Sequence, residues 1–135
     1  ADAYNDRART YAQAGQYPLA LADYKEEKHL ARGTVRTWSK LMAWFLATCP
    51  DPTYRDGAEA VAEATKDCEA TRWSDPSDLD TMAAAKAEVG QFGEAASYEE
   101  KAIALLEPDS GWEKNFTARL ALYRARKPFR DEPRR

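Results

Sequence analysis

Few residues in this chain have side chains suited to catalysis or metal binding, and their spacing in the sequence does not bring them together. His29 is the only histidine, and no partner acid or second metal ligand stands at a useful spacing from it. Cys49 has no neighbouring histidine or group of cations that would convert its thiol into a reactive thiolate. We therefore expect no enzymatic activity, no cofactor and no metal site, and we expect His29 to be an exposed residue near the end of a helix.

The two cysteines, Cys49 and Cys68, are not expected to form a disulfide. Cys49 precedes a predicted turn and Cys68 lies about 11 residues beyond it, which is roughly 16 Å along a helix axis. A disulfide needs Cα atoms within about 7 Å of each other. Free thiols favour a reducing, cytoplasmic compartment only weakly, so localisation stays open.

Charge is distributed unevenly along the chain, whose formal net charge is −3. Residues 119–135 carry seven Arg and Lys residues and only two acidic ones. Clustered arginines can bind phosphates. The arginines of this tail can also pair with acidic residues in the rest of the chain, hold the tail against the folded domain or stay in solvent. We expect no nucleic acid as the partner, since a net charge of −3 gives no overall attraction to it. We expect no membrane either, since no apolar run approaches the roughly 18–20 residues of a membrane span. The tail is expected to fray after Pro128.

Apolar periodicity and turn residues predict seven helices and no strand. Ser110 and Glu113 have the spacing of a capping box at the start of the last helix. The acidic pairs 26–27 and 99–100 are interpreted as ordinary helix surface. The predicted helices are Asp2–Ala14, Pro18–Ala31, Thr34–Cys49, Asp56–Thr71, Pro76–Val89, Phe92–Leu106 and a last helix that ends near Arg126.

Small residues recur at intervals of 35 to 40 residues. One series falls in the first helix of each pair and another in the second, and small side chains there let two helices approach closely. Gly15 and Gly90 mark tight turns within the first and third pairs. A period in this range is typical of solenoids, in which each unit buries its apolar face by stacking on a neighbour. The two series are Ala8, Ala43, Ala83 and Ala20, Ala60, Ala95.

This pattern resembles the tetratricopeptide repeat family over nearly the whole chain. The stretches WFLATCPDPTYRDG and ALYRARKPFRD are also similar to C-terminal repeat arrays of large bacterial multidomain proteins. The resemblance implies an all-α, right-handed superhelical stack of three helix-turn-helix repeats with a C-terminal capping helix. The single domain would comprise repeat one at 1–34, repeat two at 35–73 with a longer turn at 50–56, repeat three at 74–108, a capping helix at 110–127 and a basic tail at 128–135.

The resemblance also implies a concave groove lined by the first helix of each repeat, which would hold a peptide or a partner helix. Trp44 is the candidate anchor of such a site, although it could instead pack against the turn at 50–54 or the next first helix. Asp80 and Glu88 would repel a terminal carboxylate, so a carboxylate clamp is not expected. The groove residues carried over from the family are Asn5, Arg9, Gln13, Lys40, Trp44, Thr48, Asp80, Ala84 and Glu88, together with Asp2, Thr37 and Ser77 at the helix starts.

Two classes of function follow from this interpretation. The first is a protein–protein interaction module with a peptide or protein ligand in the groove. The second is a structural spacer that stacks on neighbouring repeats, or on a second copy of the chain, with no ligand in the groove.

Overall fold

The computed structural model describes residues 2–30 and 37–133. These residues form seven α-helices, one short 3₁₀ turn at Pro52–Tyr54 and no strand, so the all-α prediction is confirmed. The predicted end of the second helix at Ala31 and the start of the third near Thr34 lie outside the described residues. The helices are α1 (Asp2–Gln13), α2 (Tyr17–Leu30), α3 (Thr37–Thr48), α4 (Gly57–Ala70), α5 (Pro76–Glu88), α6 (Phe92–Leu105) and α7 (Glu113–Arg124).

Local sequence explains where most of these helices begin and end. The carboxylate of Asp56 accepts a hydrogen bond from the Glu59 N–H at 3.1 Å and caps α4. The Asp75 carboxylate accepts from the Ser77 N–H at 2.9 Å and caps α5, and Pro76 in the first turn has no N–H that would need a partner. After α1, Gly15 adopts a φ of +80°, and the Gln16 N–H then closes the helix on the Tyr11 carbonyl at 2.8 Å.

The start of α7 differs from the prediction. The Ser110 hydroxyl accepts a hydrogen bond from the Trp112 N–H at 3.2 Å, and α7 begins only at Glu113. Trp112 is the residue that precedes the helix, and it makes no side-chain cap. The prediction of a capping box is therefore wrong, because the serine hydroxyl accepts from the N–H of the second residue after it, within a local turn.

The helices pack as hairpins in chain order: α1 on α2, α3 on α4, and α5 on α6. The first hairpin touches the second through α1 and α2 against α3, and the second touches the third through α3 and α4 against α5. The last helix, α7, packs on α6. Contact between near neighbours in sequence is typical of repeat proteins. The alanines predicted to permit close helix approach are all completely buried: Ala8, Ala20, Ala43, Ala60, Ala83 and Ala95.

One member of each acidic pair is buried, so the interpretation of both pairs as helix surface is wrong. Glu27 is 3% exposed and Glu99 is 0% exposed, whereas Glu26 and Glu100 are exposed. Adjacent residues of an α-helix point about 100° apart, so one of two neighbouring acids can face inward while the other faces solvent. The helical phase set by Ala20 and Ala95 places Glu27 and Glu99 on the packed side.

The chain after α7 is not frayed up to Pro133, which corrects the prediction for this part of the tail. Arg126 adopts a left-handed φ of +60°, and the Lys127 N–H bonds the Leu122 carbonyl at 2.9 Å. This arrangement ends the helix and turns the chain. Residues 127–133, the C-terminal segment from here on, are non-helical and lie against α3, α5 and α7. Phe129 and Arg130 are half-buried there.

Candidate functional site

The C-terminal segment crosses the face that the sequence predicts as the groove. It leaves α7, contacts α5 and α3, and reaches the turn between α1 and α2, where Pro133 lies over Gly15. The segment and the side chains that hold it form the candidate site. Three consecutive residues, Phe129, Arg130 and Asp131, make the hydrogen bonds, the salt bridge and the ring contact.

The site depends on how α3 ends. The last four carbonyls of an α-helix have no partner inside the helix, and Pro50 and Pro52, which follow α3, carry no N–H that could serve them. The Asp56 N–H, beyond the turn, bonds the Leu46 carbonyl at 3.0 Å, and the C-terminal segment supplies two further donors. The Asp131 N–H donates to the Thr48 carbonyl at 2.9 Å, and the Arg130 guanidinium donates to the Ala47 carbonyl at 3.4 Å.

Arg55 donates hydrogen bonds to the two carbonyls that follow α3. Its guanidinium donates to the carbonyl of Cys49 at 2.8 Å and to that of Pro50 at 3.2 Å. Its Nε also pairs with Glu88 Oε2 at 3.0 Å. Arg55 therefore links the end of α3 to the end of α5. A cation there interacts favourably with the negative end of each helix dipole.

Glu88 binds two arginines. Its second oxygen, Oε1, pairs with Arg130 Nη2 at 2.8 Å. The side chains of Glu88 and Arg130 are 17% and 24% exposed, so solvent screens this pair less than an ordinary surface salt bridge. A glutamate at a helix C-terminus opposes the dipole, and the two guanidinium groups offset that repulsion.

An aromatic cluster holds Phe129. Its ring centroid lies 5.7 Å from the Trp44 ring at an interplanar angle of 42°. The Arg119 guanidinium carbon lies 4.7 Å from the centroids of both rings, within the range of cation–π attraction. Trp44 also donates its indole N–H to the Asp131 carboxylate at 2.8 Å. Trp44 therefore packs against the C-terminal segment, a contact that neither sequence alternative foresaw.

A buried acid pair lies behind this cluster. Arg119 Nη1 is 2.7 Å from Asp80 Oδ2, and both side chains are about one-tenth exposed. Burial, followed by the nearby Asp80 charge, raises the pKa of Glu99 to about 10. Burial also raises the pKa of Asp80, although Arg119 opposes this. We conclude that Glu99 is neutral at pH 7 and that Arg119 favours the charged form of Asp80.

The predicted groove residues fall into three groups. Trp44, Thr48 and Glu88 contact the C-terminal segment directly. Asp80 and Ala84 are buried, Asp80 beside Arg119 and Ala84 in the apolar cluster that Trp44 packs against. The rest lie elsewhere: Arg9 is exposed on α1, Gln13 is half-buried at its end, Lys40 pairs with Asp78 at 3.3 Å, and the side chain of Asn5 is outside the described part.

The assignment of these nine residues to a peptide groove stays a prediction. The residues that sequence reasoning missed are Arg55, Arg119 and the segment itself. One usable signal was present: a helix that ends in Cys-Pro-Asp-Pro lacks the local donors of a glycine turn, and so needs donors from elsewhere. Asp80 and Glu88 do not act as free negative charges, because each is paired with arginine.

The remaining candidate residues show no reactive arrangement. Cys49 and Cys68 are both buried, free thiols, and burial raises the pKa of each, that of Cys68 to about 12. His29 is exposed in the last turn of α2, as predicted. Within residues 2–30 and 37–133, no three histidine, cysteine or acidic side chains group in a way that could hold a metal ion. Over the same ranges, no helix has the length and apolar character needed to span a membrane.

Comparison of the chain with protein-family models, with curated proteins and with solved structures gave no match. The candidate site is therefore interpreted from its own geometry.

Proposed function

We propose that this chain is a protein–protein interaction module that holds a non-helical peptide segment across its odd-numbered helices. One observation carries the proposal: the chain's own C-terminal segment lies on that face, held by a main-chain hydrogen bond, a salt bridge and an aromatic contact. A face that holds one such segment has the donors, acceptors and apolar surface to hold another of the same kind.

The proposal includes the repeat architecture. Three hairpins with completely buried alanines at matching positions support tetratricopeptide-like units followed by a capping helix, α7. A superhelical twist of that family would make the face of α1, α3 and α5 concave. The C-terminal segment would then be an internal ligand that an external peptide must displace.

The proposal is tested by selecting ligands from a library of random 12-residue peptides. The bait is the full-length chain with Phe129→Ser, Arg130→Ser and Asp131→Ser, called the triple-serine variant, in which the segment has lost its side-chain contacts. We expect enriched peptides whose binding falls at least tenfold when Trp44→Leu is added. Trp112→Leu is the matched control, because Trp112 is an exposed tryptophan at the start of α7.

All baits must show the same helical circular dichroism before selection. No enrichment, or peptides that bind equally well to the Trp44→Leu bait, would contradict the proposal.

The second function is the structural spacer, and one observation favours it. The outer side of α7 carries a shallow, open depression lined by small and polar residues: Glu113, Lys114, Thr117, Ala118 and Ala121. Another helix could stack there and extend the array. Light scattering that shows association with rising concentration, abolished by Ala118→Glu on α7, would support the spacer.

A further inference from the structure

The contacts of the C-terminal segment define which peptide the face accepts. This inference rests on the proposed function and adds the chemistry of its ligand. Each of the three consecutive residues 129–131 contacts a different part of the site. The order of the residues is therefore recognised as well as their types.

The first position requires an aromatic ring. Phe129 contacts both the Trp44 ring and the Arg119 guanidinium, which is itself fixed by Asp80 at 2.7 Å. An aliphatic side chain would keep apolar contact but would lose the attraction between the guanidinium and the face of the ring. The part of the site for this residue is preformed, because Arg119 and Asp80 belong to α7 and α5.

The second position requires arginine or lysine. Arg55 binds one oxygen of Glu88, and the other oxygen pairs with Arg130. Arginine is favoured over lysine, because its guanidinium also reaches the Ala47 carbonyl at 3.4 Å. An acidic residue here would face Glu88 and be repelled.

The third position requires aspartate. The Asp131 side chain accepts from the Trp44 indole at 2.8 Å, while its N–H donates to the Thr48 carbonyl at 2.9 Å. A longer side chain would change the spacing between these two contacts. Proline would remove the N–H altogether, and a cation could not accept the indole N–H.

We infer that the partner of this face is a protein segment with consecutive aromatic, arginine and aspartate residues, and that the chain's own C-terminal segment competes for the same contacts. An attached segment acts at an effective concentration in the millimolar range. The intact chain therefore binds the partner segment more weakly than a chain whose own segment has been altered.

The test measures fluorescence anisotropy with labelled synthetic peptides and the full-length triple-serine variant. The first peptide is Lys-Pro-Phe-Arg-Asp-Glu-Pro, the sequence of residues 127–133. The matched control, Lys-Pro-Phe-Asp-Arg-Glu-Pro, has the same composition and net charge with two residues exchanged. A third peptide replaces phenylalanine with serine.

We expect the first peptide to bind at least tenfold more tightly than either of the others. The wild-type chain should bind it at least tenfold more weakly than the triple-serine variant does. If the triple-serine variant does not fold, Phe129→Ser alone replaces it, since this substitution removes the aromatic contact and keeps both charges of the segment.

Equal binding of the native and exchanged peptides would overturn the inference. If no synthetic peptide binds while the random library yields ligands that need Trp44, the inference fails and the proposed function stands. If neither experiment yields a ligand, the proposed function fails as well. Wild-type dimers that disappear in the triple-serine variant would also overturn the inference, because the segment's partner would then be a second copy of the chain.

Discussion

Replacing Glu99 with glutamine tests the buried acid pair. Glu99 is 0% exposed, and its pKa is raised from 4.5 to about 10 by burial and then by Asp80. Asp80 lies on α5, and Arg119 and Tyr123, which also influence this site, lie on α7. Between pH 4.5 and 10 Glu99 therefore carries a proton in the folded chain that it has lost in the unfolded chain.

The sign and size of the effect follow from proton linkage. A carboxyl whose pKa is raised on folding contributes stability that is complete below pH 4.5 and is lost as the pH rises toward 10. One extra bound proton changes the free energy of unfolding by about 1.4 kcal/mol per pH unit. From pH 5.5 to 7.5, Glu99 therefore lowers the stability of the wild type by about 2.7 kcal/mol. This value depends on the pKa in the unfolded chain, provided that the folded value stays well above 7.5.

The assay is urea unfolding, followed by circular dichroism at both pH values. Glu99→Gln should remove the contribution, so its stability should change between pH 5.5 and 7.5 by about 2.7 kcal/mol less than that of the wild type. Glu100→Gln is the matched control, because Glu100 is exposed on the same helix and should leave the wild-type dependence unchanged. A loss of stability that is equal at both pH values would reflect packing of the amide alone. If Glu99→Gln and the wild type share one pH dependence, the neutral state of Glu99 is refuted.

Three further outcomes are expected. A double-mutant cycle with Glu88→Gln and Arg130→Gln should give a coupling of about 0.5–1.5 kcal/mol in urea unfolding, because the pair is largely buried; additive effects would contradict this. Gly57→Ala should lower the melting temperature, since a Cβ there would stand 2.7 Å from Val89 Cγ1. Gly93→Ala should raise the melting temperature, because alanine has the higher helix propensity by about 0.5–1 kcal/mol and its Cβ would meet no described atom within 4 Å. A higher melting temperature for Gly57→Ala than for Gly93→Ala would contradict both expectations. Both cysteine thiols should react with Ellman's reagent at pH 8 only after unfolding, because burial protects them and raises their pKa; rapid reaction of the folded chain would contradict this.

The helices could be predicted from sequence because their signals are local. Asp56 and Asp75 cap the helices that follow them, and Gly15 ends α1 where the sequence indicates. The positions of the buried alanines could also be predicted, because the repeat shows each position more than once. These signals act within one turn of helix or recur along the chain, so they need no knowledge of distant contacts.

The contents of the candidate site were harder to predict, because they depend on residues far apart in sequence. The sequence offers Trp44 only as a candidate anchor with a packing alternative, and its contact with Asp131 joins residues 87 positions apart. The sequence marks Arg119 and Arg130 only as parts of a basic tail. Their separate partners, Asp80 and Glu88, are identified only when α5, α7 and the segment are placed together in space.

The end of α3 explains why the segment lies where it does. At the ends of α1 and α5, a residue just beyond the helix closes the last turn: the Gln16 N–H bonds the Tyr11 carbonyl, and the Gln91 N–H bonds the Lys86 carbonyl. The prolines after α3 prevent that solution. Buried carbonyls without donors are costly, so a turn that departs from the repeat pattern requires donors from elsewhere. The Asp56 N–H, Arg55 and the C-terminal segment supply them. A partner peptide that displaces the segment must therefore bring its own main-chain donor for the Thr48 carbonyl. This requirement favours a peptide that binds through its backbone over a partner helix, whose N–H groups beyond the first turn are already bonded.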